Sequence, residues 1–392
     1  MITKLAYKNI LGNGWRSLIN IFILSLVLTG MIWMQGLYDG WSRIARRQMQ
    51  EWEFAGGHYA HQDYDKYDSF SLDKSFAAVP PKLQDLIDTG DAVPILYSAG
   101  IIYPHGRLTP VVIKGIPAEQ NILRIPTTHL RIQDPDTQIL PVLIGRQMAK
   151  SINVVKGDIL TMRWKEVNGA YNAYDIQIVQ IMDTPVPSTD MGQIWIDYDK
   201  LNEVKALKNS CSVIVLKNQA ASTYVGSPWN FVSIDQSMKG VDAMIQTKRV
   251  GGYVFFVLLL FLAMIAVFDA QMLAVFKRRK EIGTLIALGM TKRQIIGLFT
   301  MEGTMYMLLG SVLTATLGLP LFFYFGFQGF PIPQQMSDFN IAGASEPIRC
   351  YYSPIMILST FMIVMAVTVF ASWLPSSKIA RMKATYALLG KV

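Results

Sequence analysis

Four long apolar segments divide the chain. A helix needs roughly 20 apolar residues to cross the hydrocarbon core of a bilayer, and residues 17–38, 250–276, 294–327 and 350–376 each meet that requirement. The first and the last contain no charged residue, whereas the second contains Asp269 and the third contains Glu302. The sequence therefore predicts a membrane protein with four transmembrane α-helices, one before residues 39–249 and three after them.

Residues 39–249 carry a different pattern. Short alternating or β-branched runs, which are typical of strands, are mixed with amphipathic pieces at 80–88, 145–153 and 197–207. The flanking segments 39–53 and 233–250 have a helical period, so we expect them to extend the first two spans as a stalk. This region is predicted to be a mixed α+β domain of two lobes.

Positive charge is concentrated in three segments. Residues 1–16, 277–293 and 377–392 together hold thirteen Lys and Arg residues and one acid, Glu281. Because Lys and Arg favour the cytoplasmic side, both termini and 277–293 are predicted to be cytoplasmic, and 39–249 and 328–349 extracytoplasmic. The first span is too long for a signal-peptide apolar region, and no cleavage pattern follows it, so we expect an uncleaved anchor. This distribution accounts for the net charge of +8 without a nucleic-acid partner.

Candidate catalytic and metal-binding chemistry is sparse. Two cysteines, Cys211 and Cys350, are too few for a disulfide framework or a structural zinc site. The acidic run Asp63, Asp65 and Asp68 lacks the glycine and the final glutamate of an EF-hand loop, so we interpret it as a solvated turn. We predict no catalytic residue, no metal and no cofactor. Asp269 and Glu302 are interpreted as structural residues near the inner interface, each able to pair with a lysine.

Segment 277–293 contains more than a basic connector requires. A basic cluster opens it, and a short amphipathic helix follows, with Ile282, Leu285, Ile286 and Leu288 as its apolar part. Gly289 suits the end of that helix. Thr291, followed three residues later by Gln294, is a capping box that begins the third span. A plain connector would explain the charges but not a capped amphipathic helix.

This segment resembles the coupling segment of the FtsX-like permeases (MacB, LolC and LolE type), the transmembrane subunits of type VII ABC transporters. A basic pair, a Glu-Ile-Gly triplet, a short apolar helix and an Ala-Leu-Gly triplet carry the resemblance. In this chain the corresponding residues, which we predict to contact the ATPase, are Arg278, Arg279, Glu281, Ile282, Gly283, Leu285, Ala287, Leu288 and Gly289.

Other segments extend the resemblance. Residues 1–16 are similar to the amphipathic elbow helix of that family, and 377–392 to its closing segment. Residues 141–164, through Gly145, Ala149, Gly157 and Asp158, resemble the lipoprotein-releasing LolC/LolE subgroup, although macrolide-exporter permeases share this pattern.

The resemblance implies a non-catalytic permease of the inner (cytoplasmic) membrane with its large domain in the periplasm. No GxxxxGK[ST] phosphate loop occurs in the sequence, so a separate ABC ATPase subunit is expected to hydrolyse ATP. Further expected partners are a second permease copy or paralogue, membrane lipids, and a lipoprotein substrate or periplasmic carrier. The segments 39–53 and 233–250 would carry ATP-driven motion to the external domain.

Two other functions remain open from the sequence. The first is an FtsX-like regulatory permease that activates a periplasmic hydrolase, although such division proteins usually have a much smaller external domain. The second is a split MacB-like efflux permease for peptides or drugs.

Overall fold

The computed structural model describes residues 14–66, 68–131, 139–166, 169–219, 225–331 and 347–379. Most of the expected elbow helix (1–16), of the closing segment (377–392) and of the 328–349 loop lies outside these ranges. The described chain forms two compact units. A helical unit comprises the residues up to Trp41, Met244–Pro331 and the residues from Pro347, and Ser42–Ala243 form a β-rich unit.

The helices vary from one turn to twelve turns. In chain order they are α1 (Trp15–Met49), α2 (Pro81–Asp88), α3 (Arg146–Ile152), α4 (Pro187–Asp190), α5 (Tyr198–Val204), α6 (Ile234–Lys277), α7 (Arg279–Ala287), α8 (Lys292–Leu313), α9 (Leu319–Phe327) and α10 (Pro354–Ile379). A π-helical stretch, Gln50–Phe54, prolongs α1, and another, Thr314–Gly318, joins α8 to α9.

The strands all belong to the β-rich unit. They are β1 (His58–His61), β2 (Ala77–Ala78), β3 (Ala92–Ile102), β4 (Thr109–Ile116), β5 (Leu140–Gly145), β6 (Ile159–Lys165), β7 (Tyr171–Met182), β8 (Gln193–Asp197), β9 (Ser210–Cys211), β10 (Val213–Leu216) and β11 (Trp229–Val232).

Four helical segments are long and apolar enough to cross a membrane: Ser17–Phe54, Ile234–Lys277, Lys292–Phe327 and Pro354–Ser377. They contain the first three predicted spans and, from residue 354 onward, the fourth, which was predicted to begin at residue 350. The first two extend beyond the apolar runs, so the segments predicted as stalk helices are helical in the structure. The β-rich unit lies in the chain between the first and the second of them, as the sequence predicts.

Close contacts hold the helical unit together. A Cβ atom placed on Gly303 of α8 would lie 1.7 Å from Ser372 Oγ of α10, so these two helices approach each other at a residue without a side chain. Hydroxyl groups add specific contacts between α1 and the third span: Ser17 Oγ lies 3.2 Å from Tyr306 Oη, and Thr314 Oγ1 donates to the Ser25 carbonyl oxygen at 3.1 Å. Polar pairs of this kind stabilise helices whose outer surfaces are apolar.

Six strands of the β-rich unit close into a barrel. The order is β3-β4-β8-β5-β7-β6, and β6 pairs back with β3 through Gly100, Ile101 and Ile102. Strands β10, β1 and β11 continue from the first half of β3, where Val93 and Ile95 pair with β10. The mixed strands and helices agree with the predicted α+β class, whereas barrel closure was not predicted.

The barrel interior is filled by aliphatic and aromatic side chains, among them Leu96, Ile113, Met162 and Ile178, which are fully buried. A second apolar cluster, containing Ile95, Tyr97 and Trp195, covers the opposite face of β3, β4 and β8. Residues that alternate along a strand point to opposite faces, so each of these strands contributes to both clusters.

The four residues on which the LolC/LolE resemblance is based each stabilise the local backbone or the core of the β-rich unit. Gly145 precedes α3 where a Cβ atom would lie 2.3 Å from the Asp190 carbonyl oxygen. Gly157 has φ +98°, which favours glycine, and Asp158 Oδ2 accepts a hydrogen bond from the Val155 amide at 2.8 Å. Ala149 is buried in the barrel cluster. These contacts explain the four residues as part of the fold of the β-rich unit.

Candidate coupling site

One residue separates the second span from the short helix that follows it. Helix α6 ends at Lys277, α7 begins at Arg279, and Arg278 between them has φ −98° and ψ 17°. Backbone hydrogen bonds continue through this position, from the Arg278 amide to Ala274 O and from the Ile282 amide to Arg278 O. The chain therefore changes direction at Arg278 without opening into a loop.

The short helix is fixed by its buried side. Ile282 is 3% exposed and packs with Val275 of α6 and with Ile295 and Phe299 of α8, while Ile286 is partly buried against them. Gly283 is also buried. Ile282 thus belongs to the interior of the helical unit, although the sequence analysis placed it among the contacts to a partner.

The opposite side of α7 is accessible. Glu281 is exposed, Leu285 is half-buried, and the Leu288 side chain is 84% exposed. Arg279 and Ala287 are the first and last residues of α7, and their side chains are outside the described part of the structure. Glu281 and Leu288 are therefore an acid and a leucine that no described residue of the helical unit covers.

The end of α7 and the start of α8 are both capped, as the sequence predicts. The Gly289 amide donates to Ile286 O and the Met290 amide to Leu285 O, each at 3.0 Å, and Gly289 has φ +96°. This is a Schellman motif with glycine in the left-handed position. Two residues later, the Gln294 amide donates to Thr291 Oγ1 and the Thr291 amide donates to Gln294 Oε1, so the capping box is confirmed.

A buried ion pair joins this junction to α8. Arg278 Nη1 lies 3.3 Å from Oε2 of Glu302, whose side chain is fully buried. From the sequence, Glu302 was interpreted as able to pair with a lysine, whereas the ion pair that the structure describes is with the guanidinium of Arg278. Asp269 is exposed, and no ion pair to it occurs among the residues that the structure describes.

Arg278 therefore has a task that sequence reasoning missed. It was counted among the contacts to a partner, whereas its side chain is only 15% exposed and is turned toward α8. The one signal in the sequence was a lone acid, Glu302, in an apolar span directly after a basic cluster. A charge in that position needs a partner. Segment 277–293 contains six basic residues, and the sequence alone does not identify which of them pairs with Glu302.

The acidic residues Asp63, Asp65 and Asp68, which were interpreted as a turn, lie in a segment that contains turn-type hydrogen bonds. The Phe70 amide donates to Asp68 Oδ1 at 2.9 Å, and Ser71 Oγ donates to the Asp68 carbonyl oxygen at 2.7 Å. Within the ranges described, no group of three or more His, Cys, Asp or Glu side chains is arranged to bind a metal ion. Both cysteines are free and buried, and burial raises the pKa of the Cys211 thiol well above its ordinary value.

Comparison with known proteins links part of this chain to one protein family. No curated protein matches the chain. Residues 253–384 match the family model of the FtsX-like permease C-terminal domain. The matched region begins inside α6 and includes α7, α8, α9 and α10, so it contains the capped segment, the Arg278–Glu302 pair and the last three spans. The match covers about a third of the chain, supports an assignment to the FtsX-like permeases and implies a permease subunit of an ABC transporter.

Proposed function

We propose that this chain is the permease subunit that transmits ATP-driven motion from a separate ATPase to its β-rich domain. The observation that carries the proposal is the arrangement of α7. Ile282 anchors one side of this helix in the helical unit, a Schellman motif at Gly289 ends it, and Glu281 and the 84% exposed Leu288 remain accessible on the other side.

A helix of this kind suits force transmission. Because Ile282 and the Arg278–Glu302 pair connect α7 to α6 and α8, a push on α7 is passed to two spans rather than absorbed in a loop. Helix α6 has 44 residues and is therefore about 66 Å long at 1.5 Å per residue. This is roughly twice the thickness of the hydrocarbon core, and the first ten residues of this continuous helix, 234–243, belong to the β-rich unit.

The orientation follows from charge. We infer that 277–293 faces the cytoplasm, where the ATPase is, because thirteen basic residues and one acid occupy the three segments on that side. The β-rich unit is then periplasmic and the membrane is the inner one. Arg279, Glu281, Leu285 and Leu288 would contact the ATPase, while Arg278 and Ile282 hold α7 in place.

The proposed cargo is a lipoprotein released from the membrane, with a second permease copy or paralogue completing the transporter. The support is the likeness of 141–164 to the LolC/LolE subgroup. A regulatory permease that acts on a periplasmic hydrolase and a split efflux permease are the competing functions. They differ in what is bound on the periplasmic side, which an affinity experiment can measure.

The test is affinity purification of the full-length protein in mild detergent from its native host, with bound proteins identified by mass spectrometry. We expect an ABC ATPase with the unaltered chain and its loss with Glu281→Lys plus Leu288→Asp. The matched control is Leu108→Asp, because Leu108 is a 61% exposed leucine in the β-rich unit, and it should retain the ATPase.

Each result has a defined meaning. Absence of an ATPase even after crosslinking, or equal recovery with the double variant, would overturn the coupling assignment. Recovery of a lipoprotein that is released by ATP supports the proposed cargo. Recovery of a hydrolase or of an efflux partner in its place would leave the coupling intact and replace the cargo.

A further inference from the structure

A cavity of about 610 Å³ lies within the β-rich unit. Its floor is the outer face of the sheet, formed by β1, β3, β4, β8 and β10. Its walls come from the π-helical end of α1, from residues within 64–66 and 68–72, and from the first turns of α6. Pockets for small molecules have volumes of about 300–1,000 Å³, so the space suits a small organic ligand. We call it the Lys114 cavity.

Three side chains form a row across its floor. In the strand register Lys114 of β4 is opposite both Tyr97 of β3 and Trp195 of β8. Lys114 Nζ lies 4.8 Å from the centroid of each of these two rings. The ammonium group is thus held between two aromatic rings by cation–π contacts, which are strongest where water is excluded.

The ammonium group of Lys114 is buried and has no carboxylate in direct contact among the described residues. Its side chain is 7% exposed, and no hydrogen bond or ion pair to Nζ is found in the described part of the chain. The nearby carboxylate, Glu53, accepts hydrogen bonds from the hydroxyls of Ser188 and Thr189. Burial lowers the pKa of Lys114 to about 8, so the group is still largely an ammonium at neutral pH.

Other polar atoms of the lining also lack partners. Trp195 Nε1, Gln193 Oε1 and His58 Nδ1 are buried and make no hydrogen bond, and all three residues line the cavity. Buried polar groups are normally hydrogen-bonded, and several unsatisfied groups at one place call for an explanation. A cation and an N–H donor on adjacent strands are the groups that would receive an anion with two oxygen atoms.

We propose that the Lys114 cavity binds a small organic carboxylate with an apolar body. The carboxylate pairs with Lys114 and accepts from Trp195 Nε1, while the body lies against Phe54, Leu72 and Val241. A monoanion suits the site better than a phosphate dianion, because one buried ammonium faces the ligand. Lys66 and Lys239 also line the cavity, and so do the acids Glu53, Asp65 and Asp68, so these residues add no further net positive charge. The proposal does not require the ATPase coupling described above.

Isothermal titration of the full-length protein in lipid nanodiscs tests this proposal. The probe is 4-phenylbutanoate, compared with its neutral and cationic relatives, 4-phenylbutan-1-ol and 4-phenylbutylamine. We expect one binding site for the carboxylate and binding at least roughly tenfold weaker for the other two, the loss of about one charge-assisted contact. We also expect proton uptake at pH 8–9 in buffers of different ionisation enthalpy, because the bound anion favours protonated Lys114.

Variants separate the site from unspecific partitioning. Lys114→Met should weaken carboxylate binding roughly tenfold or more, and Trp195→Phe, which keeps an aromatic ring but removes Nε1, should weaken it by a smaller factor. Lys165→Met, at an exposed lysine of β6, should bind as the unaltered chain does. No detectable carboxylate binding, equal binding of the three probes, or unchanged binding in both cavity variants would overturn the proposal. If Lys114→Met fails to fold, Trp195→Phe alone decides.

Discussion

Arg278 Nη1 lies 3.3 Å from Glu302 Oε2, and this pair connects the single residue between α6 and α7 to the interior of α8. The carboxylate is fully buried and the guanidinium is 15% exposed. A buried ion pair contributes little compared with apolar residues of the same size, but removal of one partner leaves a buried charge that is costly.

Arg278→Met should therefore destabilise the protein by roughly 3 kcal/mol, because Glu302 is left as a buried charge without this partner. Glu302→Gln should cost less, since Arg278 lies nearer to the surface. The double variant Arg278→Met plus Glu302→Met should cost less than the sum of the single changes. Thermal unfolding of the detergent-solubilised chain measures all of them. An unchanged melting temperature in Arg278→Met would contradict the pair.

Ile282 and Leu288 have the same chemical character and opposite surroundings. Ile282→Ala should destabilise the protein by about 2–4 kcal/mol, because it removes buried methyl groups from the contact of α6, α7 and α8. Leu288→Ala should leave the melting temperature within about 1 °C of the parent, since Leu288 is 84% exposed. Equal shifts for the two variants would mean that α7 is not packed as described.

The Leu288→Ala variant also tests the proposed contact between α7 and the ATPase. We expect Leu288→Ala to reduce recovery of the ATPase while the protein remains folded. Ile282→Ala should reduce both recovery and the folded fraction. Their comparison separates a lost contact surface from a lost structure.

The approach of α8 to α10 can be tested with a methyl group. Gly303→Ala places a Cβ atom 1.7 Å from Ser372 Oγ and 2.5 Å from Ser372 Cβ, so the two helices must separate. We expect a lower melting temperature and a loss of about 1–3 kcal/mol. Ser372→Gly in the same chain removes both clashing atoms and should restore part of the loss. A Gly303→Ala variant as stable as the parent would show that the helices do not meet there.

Lys114 should give the protein a distinctive pH dependence. Its pKa is lowered by burial from 10.5 to about 8 in the folded state. Below pH 8 the lysine is protonated in the folded and unfolded states, and the full penalty, about 3 kcal/mol, opposes folding. Between pH 8 and 10.5 the folded state releases the proton first, so stability rises.

The ligand-free Lys114→Met variant should accordingly melt higher than the parent at pH 7, and the difference should shrink as the pH approaches 10.5. The other charges that act on Lys114 are Glu53, which raises its pKa, and Lys66, which lowers it. Both are present in parent and variant, so the difference between the two curves isolates Lys114. If the difference in melting temperature between parent and variant stays constant from pH 7 to 10.5, the buried ammonium group of Lys114 does not oppose folding as described.

Local features of this fold were predictable from the sequence. Apolar length marks the four spans, because a helix in lipid must satisfy its own backbone. The end of α7 at Gly289 and the capping box of Thr291 with Gln294 depend on neighbouring residues only. The predicted helices at 80–88, 145–153 and 197–207 coincide with α2, α3 and α5 for the same reason.

Features that depend on distant pairing were not predictable. The barrel closes because β3 pairs with both β4 and β6. The alternation of inward and outward side chains along β3 would be the same in an open sheet, so it does not predict closure. Tyr97, Lys114 and Trp195 become neighbours only through the parallel pairing of β4 with β8. Within α7, periodicity identified the apolar residues but not which of them is buried, because that depends on the position of Phe299 and Val275.

Closure of the barrel also limits how the β-rich unit can aggregate. A strand with an unpaired edge is a template for other chains, and a closed ring of strands has none. Within the described nine-stranded network, six strands are in the ring, and the side away from it ends at β11, only four residues long. The folded β-rich unit therefore has little free strand edge, within the described residues, through which neighbouring copies could add strand to strand.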